Sequence, residues 1–168
     1  VKVDIANGNP LLPYDYFMAI WIAGMLFLLA RHVLGVWKIR QLRSNSQIPN
    51  GELVRVLQAS AKRAGLRSAP PIRIASGIKA PCLAGWLQPY ILIDRENASQ
   101  LSKSELQHVL QHECEHLRRA DPTRLFVAQL ACIVAWWNPF VWMAARALRR
   151  STEDACDAAT LGRLGEHE

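Results

Sequence analysis

Residues 17–30 form an unbroken run of fourteen apolar or small side chains, and after Arg31 and His32 the run resumes with Val33, Leu34, Gly35, Val36 and Trp37. A crossing of the hydrocarbon core takes about 20 such residues. Tyr14, Tyr16, Trp21 and Trp37 fall where interfacial aromatics anchor a tilted span, with Arg31 snorkelling towards the headgroups. The pattern predicts a transmembrane helix over about residues 16–37, within an N-terminal segment 1–44. A buried core helix is the alternative for a run of this length. Arg31, Lys38, Arg40 and Arg43 follow the run with no acid among them, whereas residues 1–15 hold Lys2, Asp4 and Asp15. The positive-inside rule therefore places the rest of the chain in the cytoplasm.

Beyond residue 44 the periodicity changes. Residues 44–51 are turn chemistry, and a second domain, 45–168, begins there. Residues 52–64 put Leu53, Val54, Val56, Leu57 and Ala61 on a helical face closed by Gly65. Residues 72–75, 81–86 and 90–94 read as three short strands punctuated by Gly and Pro, hence a small antiparallel or mixed sheet. Ser102 and Glu105 have capping-box spacing and start a helix that runs to Arg119. Asp121-Pro122 opens another helix, which is almost wholly apolar from 125 to 135. Asn138-Pro139 then stands in N-cap and N1 order before a last helix towards Leu161. The class is α+β, a small sheet packed on helices.

Composition narrows the setting. The chain has 168 residues, 51% hydrophobic and 20% charged, which is too apolar for disorder and too charged for a polytopic bundle. A net charge of +6 suits nucleic acid, anionic lipid or a membrane face. Lacking a recognition motif, the chain is not expected to bind nucleic acid directly. The four cysteines form no CxxC pair, which argues against a zinc ribbon or a disulfide scaffold and favours a reducing compartment. The sequence begins at Val1 and ends soon after an acidic cluster. It reads as a C-terminally truncated fragment of a longer protein.

The chemistry lies in His112-Glu113-Cys114-Glu115-His116, an H-E-x-x-H sequence inside the helix that starts near Ser102. Residues four apart differ by about 40° around a helix, so both imidazoles can face one ion from consecutive turns. Glu113 beside them can act as base towards a water whose pKa the metal lowers to around 7. The bland alternative is an exposed polar stripe. His108, one turn earlier, shares the face and is assigned a supporting or surface role. A tetrahedral site needs a third protein ligand, and Glu153 in the acidic cluster 153–157 is the choice. Asp157, at i+4 from Glu153, would orient a ligating imidazole through its ring N–H, while Asp154 points about 100° away. Here the alternative is a solvated acidic patch. Cys114 and Cys156 are assigned to packing.

The order HECEH, LRRADP, WWNPFVW, ALRRSTEDACDAA, preceded by APCLAGWLQPYILID and LSKSELQHVLQHE, resembles the BlaR/MecR-type integral-membrane metallopeptidases, the sensor-transducers of β-lactam resistance. The resemblance covers roughly residues 70–160. It implies a gluzincin fold, Zn2+ held by His112, His116 and Glu153, Glu113 as catalytic base and Asp157 behind the ligands. It also implies a bacterial inner-membrane setting, a regulatory protein substrate such as a transcriptional repressor, self-cleavage, and a sensor domain or partner outside this chain. For Glu153 to share the histidines' metal, the apolar segment 125–145 must turn back rather than cross the bilayer, and Asn138-Pro139 supplies the turn of a helical hairpin. Trp136, Trp137 and Trp142 would then lie at the membrane interface, or the hairpin would be buried core.

Peptidases of this shape hold substrate as an added strand, and Pro81, Cys82, Leu83, Ala84 and Gly85 form the expected sheet edge, since Pro81 cannot donate to a ladder. The expected activity is that of a membrane-anchored zinc endopeptidase acting in signal transduction. A housekeeping membrane peptidase and a non-catalytic anchor or signalling module are the alternatives.

Overall fold

The computed structural model describes residues 13–78 and 80–165. The first helix, α1, spans Pro13–Ser44, about 48 Å at 1.5 Å per residue. It overruns the predicted 16–37 because no breaker stands between Trp37 and Ser44. One stripe of it, with Met18, Trp21, Met25, Leu28 and His32, is half-buried, and its other large apolar side chains are exposed, Phe17 and Phe27 by 63% and 68%. Among the described residues it is the one helix long and apolar enough to cross a membrane.

Helix α2, Gly51–Arg63, starts where the Asn50 side chain accepts the Leu53 N–H at 3.1 Å and ends before Gly65, whose φ is +75°. It buries Leu53, Val56, Leu57 and Ala61. Strands β1 (Ile72–Ala75), β2 (Cys82–Ala84) and β3 (Tyr90–Asp94) form one mixed sheet in the order β1-β3-β2, with β1 parallel and β2 antiparallel to the central β3. Alternation along β3 divides the packing: Ile91 and Ile93 join the core formed with α2 and α4, while Tyr90 and Leu92 pack with Ala75 and Ala84 on the opposite face. The strand expected over 81–86 is shorter. It stops at Gly85, where φ is +84° and a Cβ would sit 2.7 Å from the Gln88 carbonyl oxygen.

Helix α3, Arg95–Gln100, has no counterpart in the sequence reading. It follows β3 directly because the Asp94 carboxylate accepts the Glu96 N–H at 2.9 Å. Helix α4, Lys103–Arg118, begins with the full reciprocal capping box of Ser102 and Glu105 and buries Leu106, Leu110 and Cys114 in the main core. Helices α5 (Asp121–Val134) and α6 (Pro139–Gly165) make the hairpin, with the Phe140 N–H capped by Asn138 Oδ1 at 3.0 Å. Its second arm returns alongside α4.

Indole hydrogen bonds tie the hairpin's turn to α1. Trp21 Nε1–H donates to the Val134 carbonyl at 2.9 Å, and Trp136 Nε1–H donates to the Trp21 carbonyl at 3.1 Å. Trp142 Nε1–H donates to the Trp136 carbonyl at 3.0 Å. The Trp136 ring lies so close to Gly24 that any Cβ there would collide with it. Gly24→Leu is therefore expected to pry α1 from the hairpin and destabilise the fold by about 1–3 kcal/mol. Gly35→Leu, whose Cβ meets open space among the described residues, should cost far less. Denaturant unfolding of both variants in detergent checks this.

Candidate metal centre

Helix α4 presents His112 and His116 from consecutive turns. Their Nε2 atoms lie 3.0 Å apart, with the rings nearly perpendicular at 82°. Helix α6, brought back by the hairpin, places Glu153 Oε2 3.6 Å from each of these nitrogens. The same helix sets Asp157 Oδ1 3.1 Å from His112 Nδ1. His116 Nδ1 has its own carboxylate, Asp121 Oδ2, also at 3.1 Å.

These outer partners decide what the inner atoms are. A carboxylate can only accept, so each Nδ1 carries a proton, and in the neutral imidazole, the form that binds a metal, each Nε2 then turns its lone pair towards the other. Two lone pairs and a carboxylate oxygen converging on one point repel unless a cation lies between them. Tetrahedral ligands about 2.1 Å from zinc stand about 3.4 Å from one another, and the observed donor spacings of 3.0, 3.6 and 3.6 Å bracket that value. The donor set therefore fits zinc. The half-exposed Glu153 leaves the outward side of the triangle open for water and substrate.

A second cluster, His116, Asp121 and Cys156, shares His116 and is less suited to an ion. Burial, together with the Asp121 carboxylate, pushes the Cys156 thiol up to about 12, so it keeps its proton. Burial also lifts Cys114 to about 12, and its side chain belongs to the core. Cys114 thus acts as a packing group, whereas the Cys156 thiol also donates to Asp121 Oδ2 at 3.5 Å and lies 3.2 Å from His116 Nδ1. His108 is exposed and belongs to neither cluster.

Glu113 lies beside the triangle, buried, and burial raises its carboxyl from 4.5 to about 7 against the lowering influence of His116 and the Leu83 backbone N–H. That N–H comes from β2, whose outer edge pairs with no other strand among the described residues. The predicted edge residues Pro81, Cys82, Leu83, Ala84 and Gly85 thus run past the carboxylate. A cavity of about 880 Å³ opens next to them, with Arg40 and Arg43 of α1 and the stacked pair Trp86 and Phe126 in its wall.

A model of the BlaR1 peptidase M56 family matches residues 4–168, nearly the whole chain. The chain belongs to the BlaR1 peptidase M56 family. Among its curated relatives, the regulatory protein BlaR1 of Bacillus licheniformis is 30% identical over 164 residues, which cover 97% of this chain and 27% of that protein. The methicillin resistance mecR1 proteins of Staphylococcus aureus and Staphylococcus epidermidis are 22% identical over 154 residues, 90% of this chain and 26% of each relative. This M56 chain thus spans about a quarter of the length of the relatives it matches.

Two acids near the triangle have roles that the sequence reading missed. Asp121 was read only as a helix start. It is delivered to His116 by Ala120, whose φ of +56° folds the chain sharply after α4 at a local cost of about 1 kcal/mol. An acid shortly after the second histidine was the available signal. Glu115, the other acid of HECEH, faces away from the triangle, fully buried. It accepts from Arg118 Nε at 2.6 Å and Gln111 Nε2 at 3.3 Å.

Two consequences are measurable. Asp157→Asn replaces an acceptor-only carboxylate by an amide that can also donate and so no longer dictates the His112 tautomer, and zinc affinity is expected to fall about 10- to 100-fold. Stability should change by no more than about 0.5 kcal/mol, because Asp157 is exposed. A competitive zinc titration alongside urea unfolding reads both. For Glu113 the folded-state value exceeds the unfolded one, so its contribution to stability is full below about 4.5 and gone above about 7. Metal-free protein should lose up to about 3 kcal/mol across that window, and Glu113→Gln should abolish this dependence. Unfolding in chelator at several pH values decides it.

Proposed function

We propose that this chain is the membrane-anchored zinc endopeptidase unit of a sensor-transducer in antibiotic resistance, cleaving a transcriptional repressor, itself, or both. In this reading residues 1–44 carry the anchor, and residues 45–168 form the peptidase domain, facing the cytoplasm. One observation carries it: two histidine Nε2 lone pairs and the Glu153 carboxylate converge at 3.0 and 3.6 Å, while Asp157 and Asp121 hold the protons on the far ring nitrogens. Such a triangle is a cation site with an open face, beside a buried carboxyl.

His112, His116 and Glu153 would hold the ion, which when bound supplies a Lewis acid for the scissile carbonyl and acidifies water. Glu113 is the base: it takes a proton from the attacking water and hands it to the leaving amine. Its carboxyl, raised to about 7 by burial, is suited to both halves of that transfer. The edge of β2 from Pro81 to Gly85 would take the substrate as an added strand, and the Leu83 N–H marks where that strand passes the base.

The test is cleavage by the full-length protein in vesicles, offered a repressor-type substrate beside a panel of unrelated unfolded proteins. A discrete cut in the repressor, stopped by chelation and restored by zinc, is the expected result. Broad degradation of the panel would favour a housekeeping peptidase. Absence of any cut in every lipid composition would favour a non-catalytic anchor.

A further inference from the structure

Between Arg124 and Arg146 the hairpin carries no charged side chain, yet among the described residues nothing covers its outer surface. Trp137, Phe140 and Met143 are 61%, 73% and 60% exposed, and Val127 and Val134 lie open along the first arm. A continuous apolar surface of this kind is a liability in water and marks a face made for another medium.

The position of the turn along α1 identifies that medium. Helix α5 lies antiparallel to α1: the His32 and Phe126 rings are 6.0 Å apart at one end, and Trp21 bonds the Val134 carbonyl at the other. From Arg31 back to Trp21 is about 15 Å of helix axis, which is half of a hydrocarbon core about 30 Å thick. Residues 14–30, above Arg31, are about 25 Å long, nearly enough to complete the crossing. Arg124 and Arg146 stand about 16 Å and about 10 Å below the turn along their own helices. Together with Arg31 they supply cations where headgroups would lie. The turn is hydrogen-bonded to α1 and backed by the Trp136–Gly24 contact, so it cannot stay in water while Trp21 is in the membrane.

We infer that the α5–α6 hairpin is a re-entrant membrane element whose turn, at residues 135–138, reaches the middle of the bilayer beside α1 and exposes Trp137, Phe140 and Met143 to acyl chains. The inference rests on α1 crossing the membrane. The hairpin is helical on both arms, and in the turn the Val134, Ala135 and Trp136 carbonyls and the Phe140 N–H are hydrogen-bonded within the protein, as a water-free medium demands. It also sets the metal centre's height: Glu153 is reached two helical turns after Arg146, just outside the headgroup level, facing the juxtamembrane space.

Nitroxide labels at Phe140→Cys, Phe27→Cys and Lys62→Cys, each in a Cys82→Ser background and reconstituted in phosphatidylcholine–phosphatidylglycerol vesicles, test this by collision with oxygen and with a water-soluble nickel chelate. Labels at 140 and 27 are expected to collide with oxygen and to lose nickel broadening, whereas the label at 62 shows the reverse. Nickel access at 140 but not at 27 overturns the inference and leaves the α1 crossing intact. Nickel access at both sites overturns the crossing and the inference with it. A label at 140 shielded from both probes, with 27 still reached by oxygen, means that a protein surface covers the turn, which also overturns the inference.

Discussion

Replacing Glu113 by glutamine is expected to reduce peptide cleavage by about 10²- to 10⁴-fold, the range that general-base catalysis supplies, while zinc content stays at the wild-type level. The separation follows from the geometry. The three converging donor atoms belong to His112, His116 and Glu153, and Glu113 is not among them. Its carboxyl sits beside the triangle, buried, in reach of the Leu83 N–H. Glutamine keeps the size and can accept that N–H through its amide oxygen, but it cannot take a proton from water. Metal analysis together with cleavage of a defined substrate gives the two readings. Wild-type cleavage by the glutamine variant would remove Glu113 from the mechanism, and loss of zinc would mean that the carboxyl helps bind the ion.

Asp121 carries the second large effect. Its carboxylate is almost fully buried, 3.1 Å from His116 Nδ1, and also takes Arg119 Nε at 3.4 Å, Arg124 at 3.5 Å and the Cys156 thiol at 3.5 Å. Asp121→Ala leaves His116 Nδ1 and the Cys156 thiol facing a void without an acceptor, while Arg119 and the half-exposed Arg124 can turn to water, and stranding such buried donors costs about 1–3 kcal/mol. Asp121→Asn keeps the shape. It is expected to spare much of the stability but to lower zinc affinity about 10- to 100-fold, because an amide no longer dictates which His116 nitrogen is protonated. Unfolding midpoints for both variants and zinc competition for the asparagine one separate the two roles. An asparagine variant with native zinc affinity would show that the His116 tautomer is set by something else.

What could be read from the sequence divides along the range of the interactions. Local chemistry fixed the start of α4, because Ser102 and Glu105 satisfy each other's backbone within one turn, and it fixed α6, because Asn138-Pro139 caps and starts it. Helical spacing anticipated that His112 and His116 face one point and that Glu153 and Asp157 lie on one side of α6. The need to reunite those two sets then required the hairpin. Asp121 stayed hidden because its relation to His116 depends on a left-handed alanine that no propensity favours. The burial of Glu115 was equally silent, since an acid on a helix reads as solvent-facing until a partner such as Arg118 is placed. Strand order and the tryptophan ties to α1 involve residues far apart in the chain, and nothing in their spacing announces them.

The route of the polypeptide through the hairpin bears on its synthesis. Ribosomes deliver His112 and His116 first, then the oily arms, and Glu153 last. Until those arms have folded back on each other, the nascent chain holds a histidine pair with no third donor. Completion of the donor triangle thus waits on closure of the hairpin.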